Sequence, residues 1–391
     1  MKASSSDRFL CTALGIALVS SITFGCKSPH KEDRQDAASP APVASLDTPA
    51  EASAPPAASQ APVPLDGPLV LIAGGDVDLS RGTGQRILRD PSWDPFVDVR
   101  PWLTSADVRF ANLESPLSDQ KGVTVNKDNP LVFTGPPSGA EVLLRGAFDV
   151  VSTANNHSWD YGKRGLVETI ENLDRVGIAH VGTNGEAQSP IGPLLLERKG
   201  HKLAFFAMTA IFNDGPANLP EPRKYTAPAN LHVLRAAIAE VRDKVDRVVV
   251  SVHLGNEYSD EPVQIYRSLL FGAIDSGADV VLGHHTHTPQ RIEFHKSKPV
   301  VFSLGNFVFH QHSEHPWTGW GYLARVRFDK GAEPTIELCP YHLLASVPHP
   351  VKPAEESMFL AHFKAISIGA HTGQTTRRAD DGCWSVEERR P

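Results

Sequence analysis

Cysteine is scarce in this chain, whose 391 residues include only Cys11, Cys26, Cys339 and Cys383. The first two lie in an N-terminal segment that reads as a targeting signal, outside any folded domain. The other two could pair in an oxidising compartment, although their spacing alone does not show that they meet in space.

Several other features are also missing, and each absence excludes a class of protein. The net charge of -7 gives no basic field for binding nucleic acid. No apolar run after the N-terminus is long enough to cross a membrane, so the chain is not predicted to be a transporter. Gly82-Thr-Gly84 lacks the spacing and the lysine of a phosphate-binding loop, which argues against an ATP-driven ligase. No Gly-x-Ser-x-Gly elbow supports a serine hydrolase.

The first residues predict an export signal. Lys2 and Arg8 form a short positive region, and an apolar stretch from Phe9 to Phe24 follows it. That stretch ends in Gly25-Cys26, which favours lipoprotein processing with Cys26 as the lipidated N-terminus. Plain secretion and an uncleaved anchor are the alternatives. We therefore expect an exported protein anchored to the membrane through lipid at the cell envelope, or otherwise a periplasmic or secreted one.

Four segments are predicted along the chain. Residues 1–26 form the signal, and residues 27–66, rich in Pro, Ala and Ser, form a disordered tether. Residues 67–368 form one large domain, in which short apolar runs bounded by glycine alternate with amphipathic stretches. This alternation predicts an α/β fold. Residues 369–391 form a polar tail that we expect to be mobile.

Five short segments carry metal-ligand side chains immediately after predicted buried strands, where α/β proteins build their sites. They are Gly74-Gly-Asp-Val-Asp78, Asn112-Leu-Glu114, Asn155-Asn-His157, His253-Leu-Gly-Asn-Glu257 and Gly283-His-His-Thr-His287. Carboxylates, an amide and imidazoles form a mixed oxygen and nitrogen set that suits Mn, Fe or Zn. One or two divalent ions are therefore expected, and two adjacent ions would clamp a phosphoryl or acyl centre and activate a water.

Six motifs in order, from Asp76 to Phe307, resemble the CapA-like capsule synthesis family, within the calcineurin-like metallophosphoesterase superfamily. They read Gly-Asp-Val, Asn-Leu-Glu, Ala-Asn-Asn-His, His-x-Gly-x-Glu-Tyr, Gly-His-His-x-His and Ser-Leu-Gly-Asn-Phe. The resemblance implies a four-layer α/β/β/α sandwich with its site at the strand ends. One departure is Asp78, which stands where the broader superfamily has its first histidine.

The resemblance also implies roles for individual residues. The expected metal ligands are Asp76, Glu114, Asn156, His253, His285 and His287, with Glu114 placed between two ions. His157 and Glu114 are the expected catalytic residues, His157 acting as general acid or orienting the substrate. Asn155, Glu257, His284 and Asn306 are expected to face the substrate. Arg81 either meets an anionic substrate or forms a surface ion pair.

The resemblance implies a protein that acts in the synthesis, export or attachment of an anionic cell-surface polymer, poly-gamma-glutamate in the case of the named family. A metal-dependent hydrolase of phosphoester or related envelope bonds is the leading hypothesis. The alternatives are a non-catalytic polymer-binding member of a capsule assembly complex and a small-ligand or metal-binding lipoprotein.

Overall fold

The computed structural model describes residues 67–186, 190–213, 221–311 and 314–389. All of them belong to one compact unit. The predicted signal at 1–26, the tether at 27–66 and the predicted lipidation site Cys26 lie outside the described residues. Among the helices that are described, none has the length and apolar character needed to span a bilayer.

The first sheet has ten strands, and a central parallel part holds half of the candidate site. Its path β15-β16-β13-β12-β1-β2-β3-β4 is parallel from β1 to β4, while β11 pairs with β1 and β14 pairs with β13. The strands are β1 Leu69–Val77, β2 Val108–Leu113, β3 Val150–Ser152, β4 Ala179–Val181, β11 Asn306–Val308, β12 Trp320–Phe328, β13 Thr335–Leu344, β14 Val347–Pro350, β15 Gly373–Arg378 and β16 Trp384–Glu388.

The second sheet has six strands in the order β5-β6-β7-β8-β10-β9, and its four inner strands are parallel. They are β5 Leu194–Arg198, β6 His201–Thr209, β7 Arg247–His253, β8 Val280–His284, β9 Ile292–His295 and β10 Lys298–Val301. The helices are α1 Arg81–Arg89, α2 Arg100–Thr104, α3 Gly139–Arg145, α4 Gly162–Arg175, α5 Pro222–Tyr225, α6 Leu231–Val241, α7 Gln264–Asp275 and α8 Pro353–Ile366.

Three buried cores define four layers, because both faces of each sheet are apolar. Leu71 and Phe110 of the first sheet meet Phe205 and Val249 of the second, and the rings of Phe110 and Phe205 stack with centroids 6.0 Å apart. The opposite face of the first sheet packs against α1 to α4, and that of the second packs against α6 and α7. The predicted α/β/β/α sandwich is therefore confirmed.

The structure differs from the expectation of a mobile tail after Gly369. Strands β15 and β16 extend the first sheet, with β16 paired to β13, and Cys383 forms a disulfide with Cys339 of β13. Cys383 is fully buried, and the Trp102 Nε1 atom donates to the Asp381 carbonyl at 2.9 Å. The segment looks polar because it is an edge hairpin, so most of its side chains face solvent while the backbone is paired.

Candidate metal centre

The predicted ligand residues converge because the parallel strands of both sheets end at the same edge of the sandwich. Asp76 is the next-to-last residue of β1, Glu114 follows β2 directly, and His253 is the last residue of β7. His285 and His287 follow β8. All five side chains are at least nine-tenths buried.

Close backbone packing at this edge requires glycine at two positions. A Cβ atom on Gly75 would lie 1.9 Å from the carbonyl oxygen of Gly305, and one on Gly283 would lie 2.0 Å from that of Phe302. Any other residue would push these strand ends apart. The glycines of the first and last motifs therefore set the spacing of the ligand-bearing segments.

Two groups of side chains could each hold a metal ion, and Glu114 belongs to both. Glu114, His253 and His285 form one group, and Asp76, Glu114 and His287 form the other. Within each group the ligand atoms lie within 4.8 Å of one another. The Glu114 Oε1 atom is 3.5 Å from His253 Nε2 and 3.9 Å from His287 Nε2. Glu114 thus lies between two candidate ion positions, as the motif order predicts.

The carboxylate of Glu114 fits a metal ion better than any protein partner. Both of its oxygens are buried, and neither has a hydrogen-bond partner. Burial raises the pKa of Glu114 well above its usual range, and the charges of Asp76, Asp78 and Glu257 raise it further. A buried carboxylate without a partner is costly, so a cation at this position would stabilise its charged form.

The imidazoles of the cluster are held in the neutral form that binds metal. Burial lowers the pKa of His285 to about 3, with a further contribution from His287. Burial also lowers the pKa of His253 well below its usual range and lowers that of His287. His285 has φ 94° and His287 has φ 59°, left-handed conformations that are uncommon for residues other than glycine.

Asp76 is held in place by partners behind it. Its Oδ1 atom accepts a hydrogen bond from Asn112 Nδ2 at 2.8 Å and lies 3.2 Å from His284 Nδ1. Burial alone would raise the pKa of Asp76, but the hydrogen bond and charge of His284, the charge of His287 and the Asn112 hydrogen bond lower it. His284 was predicted to face the substrate. Its side chain is 1% exposed, so it supports Asp76 instead.

Asn112 belongs to the second of the five predicted segments, but no role was predicted for it. Its amide also lies 3.3 Å from His253 Nδ1, and its carbonyl oxygen accepts from Asn155 Nδ2 at 3.2 Å. The available signal was its position two residues before Glu114, which places both on the same side of the strand.

The two adjacent asparagines after β3 have different roles. Asn156 Oδ1 lies 2.7 Å from His253 Nε2, so its carbonyl oxygen reaches the first ligand group as predicted. Asn155 is 1% exposed; it donates to the Leu113 carbonyl at 2.7 Å and accepts from the His157 backbone at 3.1 Å. Asn155 therefore joins two strand ends instead of contacting a substrate.

His157 lines a cavity beside the cluster and is oriented by Asp160. Its Nδ1 atom donates to Asp160 Oδ2 at 2.9 Å, and the same oxygen accepts from the Phe133 backbone N–H at 2.9 Å. Burial raises the pKa of Asp160, against the opposing effect of His157. The rings of Phe133 and His157 lie 4.0 Å apart. With Nδ1 engaged, Nε2 is the nitrogen directed to the cavity, as a general acid requires.

The cavity has a volume of about 760 Å³, and its lining includes Arg81, His157, Glu257 and His287. Asn306 is fully buried below it, where its Oδ1 atom lies 2.9 Å from His287 Nδ1. Of the residues predicted to face a substrate, Arg81 and Glu257 therefore reach the cavity. Asn306 instead orients the imidazole of His287, a candidate metal ligand.

Asp78 stands behind Glu114 and not in either ligand group. Its Oδ1 atom accepts from the Ser80 backbone at 2.8 Å, while its buried Oδ2 atom has no hydrogen-bond partner. Its charge contributes to the raised pKa of Glu114. A carboxylate where the broader superfamily has a histidine thus adds negative charge to the centre.

The fold and the site define a class: α/β sandwich proteins with a candidate metal centre at the strand ends. A family model described as bacterial capsule synthesis protein PGA_cap matches residues 70–311. The chain belongs to this capsule synthesis family.

Two relatives carry capsule-related names. The PGA biosynthesis protein CapA of Bacillus subtilis is 30% identical over 267 residues, which cover 66% of this chain and 67% of that protein. The capsule biosynthesis protein CapA of Bacillus anthracis is 28% identical over 296 residues, covering 73% and 70%. A third relative, from Mycobacterium tuberculosis, is named as a probable polyglutamine synthesis accessory protein and is 27% identical over 285 residues, covering 61% and 74%.

Solved structures with some likeness include a hypothetical protein from Thermus thermophilus and the NAD nucleotidase of Haemophilus influenzae. The first has a TM-score of 0.43 at 17% identity and covers 72% of this chain and 100% of its own. The second has a TM-score of 0.43 at 12% identity, with coverage of 76% and 63%.

Proposed function

We propose that this protein is an exported, metal-dependent hydrolase that acts on an anionic cell-surface polymer during its synthesis, export or attachment. The observation that carries the proposal is the buried carboxylate of Glu114, which has no hydrogen-bond partner and is shared by two groups of candidate ligands. A buried carboxylate without a hydrogen-bond donor is costly in a purely structural role, and a bound cation would offset that cost.

The residues of the chain divide the work. Glu114, Asp76, Asn156 and the three imidazoles would hold one or two divalent ions, Mn, Fe or Zn by the chemistry of the donor set. A bound ion supplies Lewis-acid polarisation of a substrate oxygen. His157, with Nδ1 fixed by Asp160, would deliver a proton to the leaving group from Nε2.

Export is supported by the disulfide between Cys339 and Cys383, because such bonds persist in oxidising compartments. We propose further that Cys26 is lipidated and anchors the protein to the membrane. Replacement with Cys26→Ser is expected to move the protein from the membrane fraction to the soluble fraction. Unchanged fractionation would contradict the anchor.

The test is metal content and turnover of the full chain supplied with Mn²⁺ or Zn²⁺, with a generic phosphomonoester, a phosphodiester and poly-glutamate as substrates. His285→Ala with His287→Ala should lose both metal and turnover. The matched control is His295→Ala with His349→Ala, which removes two imidazoles that pair with Asp275 and Asp98 outside the cluster. If the folded wild-type protein takes up no metal, the assignment of these residues as metal ligands is wrong.

The second candidate function is a non-catalytic accessory protein that binds polymer in a capsule assembly complex. The name of the Mycobacterium tuberculosis relative favours it. Poly-glutamate binding that persists in the metal-free double variant, without turnover in the wild type, would support this function over the first.

A further inference from the structure

The cavity beside the metal centre contains two cations that the catalytic proposal does not use. Arg81 and Lys127 both line it, together with the one carboxylate of Glu257. Within the described residues, neither cation lies within ion-pair distance of a carboxylate. Most other arginines that reach the sheet ends are paired, as Arg109 is with Asp149 and Arg242 is with Asp279.

The Arg81 guanidinium is held over the cavity by aromatic rings instead of by an acid. It lies 4.1 Å from the ring centroid of Phe133 and 5.8 Å from that of Phe309. Among the residues that the structure describes, the guanidinium donates one hydrogen bond, from Nη1 to the His310 carbonyl at 3.3 Å. Stacking fixes the plane of the guanidinium while leaving most of its five donors available to an anion.

The backbone of Arg81 is also constrained. Its φ of 47° is unusual for a residue other than glycine. Thr124 holds this conformation from both sides: its carbonyl accepts from the Arg81 N–H at 3.1 Å, and its hydroxyl donates to the Arg81 carbonyl at 2.9 Å. Strain that the surroundings maintain is typical of functional positions, and here it directs a cation into the cavity.

Lys127 stands on the same loop as Thr124, beside an apolar part of the wall. Val123, Val125, Pro130 and Leu131 line the cavity with it, and the side chains of Val123 and Leu131 are 41% and 66% exposed. Apolar side chains left open at a cavity mouth favour a ligand with aliphatic segments between its charges.

We propose that Arg81 and Lys127 form an anion subsite separate from the metal centre. It takes a second carboxylate or phosphate of a ligand whose first anionic group lies at the metal, while the aliphatic segment between them packs on Val123 and Leu131. The identity of the first group rests on the proposed function, but the subsite does not. Glu257, the acid on the lining, excludes ligands that place an anion at its own position.

The test measures binding without turnover. Fluorescein-labelled octamers of glutamate and of glutamine are titrated into the metal-loaded full chain, and inorganic polyphosphate is used as a competitor. Arg81→Gln with Lys127→Gln should weaken glutamate binding by about 10-fold or more, because hydrogen bonds to charged groups are lost. The matched control is Arg86→Gln with Lys121→Gln, which removes the same charge outside the cavity and should weaken binding by less than about 3-fold because such charges are screened.

Equal losses in the two double variants would overturn the subsite, as would glutamate and polyphosphate that bind the wild type no more tightly than the glutamine octamer. Lys127→Gln alone, at an exposed position, guards against misfolding caused by the Arg81 change. Displacement by polyphosphate at lower concentration than by unlabelled glutamate octamer would identify phosphate as the preferred group. Binding that depends on Arg81 in a protein without turnover would refute the hydrolase and leave the subsite standing.

Discussion

Two buried carboxylates at opposite ends of the strands have opposite surroundings. Glu114 follows β2 at the carboxyl edge, and its oxygens have no hydrogen-bond partner. Asp279 precedes β8 at the other edge, where Arg242 and Lys298 contact it at 2.8 and 2.9 Å and the Val248 N–H donates to it at 2.8 Å. The protein thus supplies hydrogen-bond donors to Asp279 and supplies none to Glu114.

The pKa values follow the same division. Burial raises the pKa of Glu114, and neighbouring acids add to that increase. Burial would raise the pKa of Asp279 too, but hydrogen bonds from Lys298, Arg242 and Val248 lower it. The comparison teaches that burial of an acid does not by itself mark a site; a lack of compensating donors does.

The substitution Glu114→Gln tests this difference between Glu114 and Asp279 most directly and should have the largest effect. Because Glu114 belongs to both ligand groups, metal affinity should fall by more than about 100-fold, beyond the ~10–100-fold typical of outer-shell changes. The metal-free variant should be at least as stable as the metal-free wild type at neutral pH, since the raised pKa of Glu114 lowers the stability of the folded state and glutamine does not titrate. Calorimetric metal titration and denaturant unfolding measure the two effects.

Glu293→Gln is the control for that substitution. Glu293 is 2% exposed and is paired with Arg267 and Arg291, so this variant should keep its metal and lose stability. Normal metal binding by Glu114→Gln would remove Glu114 from the centre.

Asp279→Asn should have the converse effect. It leaves Arg242 and Lys298 without their acid, and we expect a loss of about 2–3 kcal/mol in unfolding free energy, below the ~3–5 kcal/mol of a fully buried pair because both cations are partly exposed. Metal stoichiometry should not change. An unfolding curve that matches the wild type would show that this cluster contributes no stability.

Asp160→Asn sharpens the comparison, because Asp160 is a buried acid at the carboxyl edge that does have protein partners. Metal content should be unchanged, while kcat should fall by about 10–100-fold, since His157 loses the group that fixes its tautomer. A shift in the pH profile of kcat would separate this positioning role from a packing defect. Loss of metal would instead make Asp160 part of the centre.

The smallest expected effect is the pH dependence of the unfolding free energy that Asp279 contributes. Its folded pKa lies below the unfolded value near 3.8, so its stabilising contribution is present above pH 3.8 and is lost as pH falls through the folded value. The difference in unfolding free energy between wild type and Asp279→Asn should therefore be constant from pH 7 to 5 and narrower at pH 3. A difference that widens toward pH 3 would contradict the direction of the shift.

Much of the fold could be predicted because both sheets are covered on both faces. Short apolar runs such as those within Arg247–His253 and Val280–His284 can be read directly from the sequence, and each of them forms a strand. The C-terminal hairpin could not be predicted, because β15 is a largely exposed edge strand and the pairing of β16 with β13 joins chain segments far apart in sequence.

The ligand residues could be predicted for a related reason. Each follows a strand that the sequence reveals, so Asp76, Glu114, His253, His285 and His287 are brought together as expected. That they bind metal stays a prediction. Which polar neighbours turn inward could not be predicted, because His284 and Asn155 differ from the cavity-facing residues only in side-chain direction at a strand end, where regular alternation stops.

The disulfide bond joins Cys339 to Cys383, which are 44 residues apart in sequence, and the segment between them contains β14, α8 and β15. Within that span, the turn at Ala345 and Ser346 joins β13 to β14, and Leu344 beside it is 50% exposed. A protease that cuts this turn would open a covalent ring without releasing a fragment. In denaturing electrophoresis the nicked chain would migrate as one molecule. A reductant would then separate its C-terminal piece, which carries β14, α8, β15 and β16.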